Sequence, residues 1–456
     1  MEIRIPIVKL QLGHFVSELD RPWLDTPFLM QGFLIESLQQ IELLHDYCEH
    51  ITLDLNRSVG GIAQWTSLLA PSTIHESSRH AQHSPLISAA SREEQRKDKL
   101  NILRELRRLF SNWRQQSSNS ADSHSKDPSL STEIVIYDDT AAVEQEIKTA
   151  SSSHQTAQRL VFSLMEAVRQ DLQPRVEEIN EVVSDLVGSI IRNPNALLWL
   201  TQLKDRDQYT YAHSIDSAVY LLAFGRHLGY PRAELQSLGM AGLMLDVGKM
   251  RLPPELLTRT GRYTPGEFML MKTHVNHSLD ILSQMEGIPI DVFDMVARHH
   301  ERFDGSGYPL GLKAERIGMF ASMAGIVDCF TALTSDRSYS NAKSAHEALQ
   351  LMYKWSERYF HPALIEQFSQ CVGIFHVGTL VELSTGEVGI VIGQNRVRRL
   401  KPKLLIILGP DKHPYAKPHS LDLITNPSLP SGLPINIRRE LPRGAHQIDP
   451  REFFLD

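Results

Sequence analysis

A chain of 456 residues exceeds the roughly 100–200 residues of an ordinary domain, so two or three folded units are expected. Hydrophobic residues at 42% and charged residues at 22% exclude a collagen-like, wholly disordered or membrane-embedded chain. Lys and Arg total 47 against 54 Asp and Glu, a formal charge of -7, so no global basic field draws the chain to DNA or RNA.

Cys48, Cys329 and Cys371 are odd in number, widely separated and form no CxxC pair, so they read as reduced thiols and point to the cytoplasm. The N-terminus alternates apolar and polar residues instead of offering a signal core, and no stretch reaches about 18 uncharged apolar residues, so neither export nor a membrane span is expected.

In chain order, Ile3, Ile5 and Ile7 at period two, the break at Gly13, a helix around Ser37 to His50 and a strand at Ile51 to Leu55 describe a small N-terminal α+β domain over 1–70. Residues 71–156 read as a charged helix (Glu93 to Trp113) and a linker, because Ser117 to Ser131 is nearly half serine and buries too little to offset ordering entropy. A helical period begins near Ala157 and defines an all-α domain over 157–370. Within it Val176, Ile179, Val183, Leu186 and Ile190 share one face, which either packs on its own domain or forms a coiled coil with a second copy. From 371 to 425 the pattern changes to short strands, at Thr379 to Leu383, Val388 to Ile392 and Leu404 to Leu408. These are expected to pack on the helical domain or to bind a partner, and packing is the safer reading. The Pro- and Arg-rich stretch 426–456 is expected to be loosely ordered. The fold class is multi-domain and mainly α.

The sequence holds 20 histidines, and imidazole both binds metals and titrates near neutral pH. In the helical domain the candidate ligands are His213, Asp246, His274, the adjacent His299 and His300, and Asp328. No close-spaced zinc-finger pattern links them, so a shared site must be assembled from several helices. A lone helical His is more often a satisfied polar residue, and the Asp304-Gly-Ser-Gly-Tyr-Pro309 run alone is a plain turn. Asp246 and Lys249, three apart, can share one side of a helical turn, where the bland reading is a surface ion pair.

Taken together, Asp207 to His213 (DQYTYAH), Asp246 to Lys249 (DVGK), Lys272-Thr-His274, His299-His-Glu-Arg302, Asp304 to Pro309 (DGSGYP) and Val327 to Tyr339 (VDCFTALTSDRSY) resemble, in order, the motifs of an HD-GYP domain. That is the bacterial branch of the HD metal-dependent phosphohydrolases that opens cyclic di-GMP. Leu19 to Phe28 with Gln31-Gly-Phe33 resembles an uncharacterised domain that commonly precedes it. The resemblance implies an HD-type helical bundle and a divalent transition metal, iron, manganese, zinc or nickel. One metal would be held by His213, the HD pair and Asp328, but the His of that pair is Leu245. The other would be held by Asp246, His274, His299 and His300, and that set is complete. A Glu that binds a third metal in some members is Tyr209 here. The resemblance also assigns Lys249 to substrate phosphate and leaving-group protonation, Arg337 to phosphate, and Tyr308 and Gly307 to the nucleotide pocket. A basic residue three positions after that arginine is Ser340 here. Cyclic di-GMP is the implied ligand, with a diguanylate cyclase, other signalling proteins or a second copy of the chain as further partners.

Phosphodiester hydrolysis needs an activated water, neutralised phosphoryl charge and a protonated leaving oxygen. Two metals about 3.5–4 Å apart supply the first two. Leu245 has no lone pair. Loss even of a group supporting a ligand weakens metal affinity or activity roughly 10–100-fold, so one metal is expected to be firm and the other weak or absent. Two readings stay open: the family reaction at reduced rate, or a catalytically inactive cyclic di-GMP receptor or protein-interaction module in bacterial signalling. An HD phosphohydrolase for another nucleotide is disfavoured by the intact DGSGYP loop.

Overall fold

The computed structural model describes residues 2–20, 33–35, 41, 44–45, 47–55, 58–59, 134–202, 209–259, 261–335, 342–356, 358–373, 375–394, 401–425, 427–428, 435–442, 444–448 and 453. The chain divides into two units, Met1–Asp98 and Lys99–Asp456. The helix expected at Glu93 to Trp113 and the serine tract lie outside the described residues, as does most of Leu19 to Phe28.

In the first unit, β1 (Glu2–Pro6), β2 (Phe15–Leu19), β3 (Phe33–Leu34) and β4 (His50–Asp54) form an antiparallel sheet in the order β1-β4-β2-β3. The period-two isoleucines set the register, with Ile3 opposite Leu53 and Ile5 opposite Ile51. Ile5, Val16, Ile35, Leu44, Ile51 and Leu53 close one core. The described residues between Ile41 and Tyr47 are helical.

The second unit is a helical bundle followed by a sheet. Helices α1 (Val143–Arg169), α2 (Val176–Arg192), α3 (Pro194–Leu200), α4 (Tyr209–His227) and α5 (Arg232–Met244) pack on one another. Val176, Ile179, Val183, Leu186 and Ile190 are all buried, so the α2 stripe faces its own domain. Each such side chain contributes roughly 1.5–3 kcal/mol by leaving water. Helix α1 begins at Val143, not near Ala157, because Ile147 and Ala150 already bury against the bundle and override the weak local signal of Ser151 to Ser153. A bidentate pair from Arg192 to the buried Glu146, 2.7 and 2.9 Å, fastens that early turn to α2.

Then come α6 (Pro254–Leu257), α7 (Pro265–Lys272), α8 (His274–Ser283), α9 (Ile290–Arg298), α10 (Met319–Leu333), α11 (Ala345–Lys354) and α12 (Pro362–Val372). The C-terminal sheet is antiparallel, order β8-β7-β6-β5-β9, from β5 (Leu380–Leu383), β6 (Val388–Gly393), β7 (Lys403–Leu408), β8 (Pro414–Asp422) and β9 (Ile437–Leu441). It packs on the bundle through β6 and α3, with Gln394 N donating to Asn195 Oδ1 at 3.3 Å. Strand β9 lies in the stretch expected to be loosely ordered. It is ordered because Val381 and Glu382 of β5 offer it a backbone ladder and Arg439 reaches the buried Glu382 carboxylate at 2.6 Å.

Candidate metal centre

Elements remote in sequence converge on Asp246. His213 lies on α4, Leu245 and Asp246 follow α5, and Lys249 sits in the 3-10 turn Val247–Arg251. His274 opens α8, His299 and His300 follow α9, and Asp328 is on α10. The turn after α5 is pressed onto α8. Gly248 N donates to Ser278 Oγ at 2.8 Å, and Ser278 Oγ donates to the Leu245 carbonyl at 3.2 Å. A Cβ on Gly248 would stand 2.2 Å from the His274 carbonyl oxygen and 2.3 Å from Ser278 N, so any larger residue would push Asp246 away from His274.

Two carbonyls orient the imidazoles. His274 Nδ1 donates to Met271 O at 2.6 Å and His299 Nδ1 to Val296 O at 2.8 Å, which puts the proton on Nδ1 and leaves Nε2 as a lone pair. His274 Nε2 lies 3.3 Å from Asp246 Oδ1 and 3.2 Å from His300 Nε2, and His299 Nε2 lies 4.0 Å from Asp246 Oδ1. His299 Nε2 and Asp246 Oδ1 are buried and make no hydrogen bond. Potential ligand atoms of Asp246, His274, His299 and His300 lie within 4.8 Å of one another. Buried lone pairs that face each other without a donor are costly, and a cation between them removes that cost. This donor set fits a divalent transition metal.

The first set is differently occupied. His213, Asp246 and Asp328 also group within 4.8 Å. However, His213 Nε2 is 3.0 Å from Asp328 Oδ1, and Lys249 Nζ is 2.5 Å from Asp246 Oδ2. Leu245 is 2% exposed and brings only hydrocarbon.

Burial holds the imidazoles of His274, His299 and His300 below their ordinary range, His274 to about 4, so all three are neutral and metal-competent at neutral pH. For Asp246, burial acts upward but is outweighed by Lys249 and His274, so the carboxyl stays ionised. For Asp328, the hydrogen bond from His213 outweighs burial in the same way.

Glu301, next to the two histidines, is buried, and its carboxylate accepts from Leu310 N at 2.7 Å and Leu312 N at 2.9 Å. It pins the DGSGYP loop over the site. Tyr308 stacks on His300, ring centroids 4.6 Å apart and planes 28° apart. A Cβ on Gly307 would meet Arg302 N at 2.3 Å and the Glu301 Cα at 2.5 Å, so its immediate role is close backbone approach. Arg337, Ser340 and Asp207 lie outside the described residues. The supporting groups Ser278, Glu301 and the Met271 and Val296 carbonyls escape sequence reasoning; only Glu301, beside the histidine pair, carried any signal.

Residues 198–364 match the HD domain family, and residues 2–179 match the domain of unknown function DUF3391. The chain therefore carries an HD-domain region and a DUF3391 region. The chain is 29% identical over 88% of its length, and 84% of the relative's, to a cyclic di-GMP phosphodiesterase of Pseudomonas aeruginosa. It is 36% identical over 30% of its length to the cyclic di-GMP phosphodiesterase response regulator RpfG of Xanthomonas campestris, covering 37% of that protein. It is 31% identical over 34% of its length to 3'3'-cGAMP-specific phosphodiesterase 1 of Vibrio cholerae, covering 36% of that protein. No helix among the described residues is long and apolar enough to cross a membrane.

Proposed function

We propose that this protein is an HD-GYP-type metal-dependent cyclic di-GMP phosphodiesterase that opens the ring towards pGpG and GMP, slowed by Leu245. It keeps one firm metal at Asp246, His274, His299 and His300 and a second, weak or absent, at His213, Asp246 and Asp328. The observation that carries this reading is the buried convergence of four potential ligand atoms within 4.8 Å, with the His274 and His299 protons held on the far nitrogens. Iron, manganese, zinc and nickel all suit this donor set.

When bound, the metal supplies a Lewis acid to the phosphoryl oxygens and to water. The chain's own residues do the rest. Lys249 Nζ lies 2.5 Å from Asp246 Oδ2, and its assigned roles are to protonate the departing sugar oxygen and to contact the substrate phosphate. Tyr308 walls the pocket through its stack on His300, and burial pushes its phenol up, so the ring stays uncharged beside an anionic ligand. Gly307 lets the loop close on Glu301 and Arg302. Arg337 is assigned to substrate phosphate.

A second reading, a receptor that binds cyclic di-GMP without hydrolysis, is favoured by the Lys249 ammonium on the Asp246 oxygen that faces the depleted set. Turnover of cyclic di-GMP and pGpG by wild type and Leu245→His separates the two. Slow wild-type turnover that rises in the variant supports the enzyme, binding without turnover in both supports the receptor, and equal rates contradict impairment.

A further inference from the structure

Beside the metal-competent cluster is a cation that the reaction does not use. Lys272 ends α7, and its Nζ stands 4.7 Å from the Phe268 ring centroid and 4.9 Å from the Tyr308 centroid. The two rings meet edge to face at 6.3 Å, and Tyr308 in turn stacks on His300. The ammonium is thus held at the pocket rim, one aromatic ring away from a candidate metal ligand. Among the described residues no carboxylate pairs with it. The site's acids have other partners, Lys249 for Asp246 and His213 for Asp328.

A half-buried cation flanked by two rings has lost part of its water and gains only a weak attraction from the ring faces. That leaves its charge available to an anion. Phe268 is 44% exposed and Leu310, at the end of the Tyr308 loop, 69% exposed. The rim therefore offers a positive charge framed by apolar surface, which suits a phosphate carried between flat bases. A cyclic dinucleotide has two phosphodiesters on opposite sides of its ring. With one at the metal centre, the other is displaced outward.

We propose that Lys272, held in place by Phe268 and Tyr308, binds the second, non-reacting phosphate of a cyclic dinucleotide. It is a positioning residue that selects a ligand with two phosphates. The inference rests on the phosphodiesterase reading and deepens it.

The test measures binding of cyclic di-GMP and of GMP, together with metal per chain, on the full chain and its Lys272→Gln and Lys272→Arg variants. Loss of one charge-assisted contact is expected to weaken cyclic di-GMP about tenfold in Lys272→Gln. Lys272→Arg keeps most of the affinity, while GMP binding and metal content stay at the wild-type level. Unchanged cyclic di-GMP affinity in Lys272→Gln overturns the role of Lys272 and leaves the phosphodiesterase reading standing. So does equal weakening of cyclic di-GMP and GMP, or loss of metal, since each marks a merely structural lysine. Failure of the wild type to bind cyclic di-GMP overturns both.

Discussion

At position 245 a buried hydrocarbon precedes Asp246, while three neutral imidazoles converge on that carboxylate from the other side. The difference lies in donor count, and substitution exposes it. His299→Ala removes an imidazole whose tautomer Val296 fixes and whose Nε2 has no other hydrogen bond. Metal affinity should fall by at least 10–100-fold, read as metal per chain after dialysis against a chelator. Glu301→Gln keeps the size of the side chain but replaces one of the two oxygens that accept from Leu310 N and Leu312 N. It should raise KM with metal content unchanged; unchanged KM would contradict the role given to Glu301. The metal-free protein should respond to acid through His274. Its folded pKa, about 4, lies below the ordinary 6.5, so the unfolded chain takes up the proton first. Stability is therefore full above about 6.5 and is lost as pH falls towards 4. A melting temperature of the metal-free chain that stays flat across that window would contradict this.

At the scale of elements, the candidate ligands were legible because each sits in a short local motif. Their supports were not, since Ser278 is an ordinary helical serine and the Met271 and Val296 carbonyls carry no side-chain signal at all. The start of α1 was hidden by Ser151 to Ser153, whose helical state comes from tertiary packing of the residues around them. Strand β8 contains Pro414 and Pro418, which are tolerated because it is an edge of the sheet. The other edge, β9, brings Glu440, pushed up to about 7 by burial and by Glu347 of α11. A carboxyl raised in the fold from its ordinary 4.5 favours the protonated form, so its contribution is present below that value and is lost as pH rises through about 7. Glu440→Gln should therefore melt higher than wild type at pH 8 and no higher at pH 4. Gly248→Ala should destabilise the fold by at least about 1–3 kcal/mol in chemical denaturation, since its Cβ meets backbone atoms.

On the scale of the whole molecule, the chain divides into two units, and no helix among its described residues is long and apolar enough to cross a membrane. A chain of net charge -7 relies on local features to hold an anion. Those proposed here are one metal, Lys249, Arg337 and Lys272. The central claim is that Leu245 leaves one firm metal where two ligand sets exist. Metal per chain, measured by elemental analysis on wild type, Leu245→His and His299→Ala side by side, tests it most directly. About one metal in wild type, approaching two in Leu245→His and falling well below one in His299→Ala, is the predicted result. Two firmly held metals in wild type, or one metal that survives His299→Ala undiminished, would contradict the account.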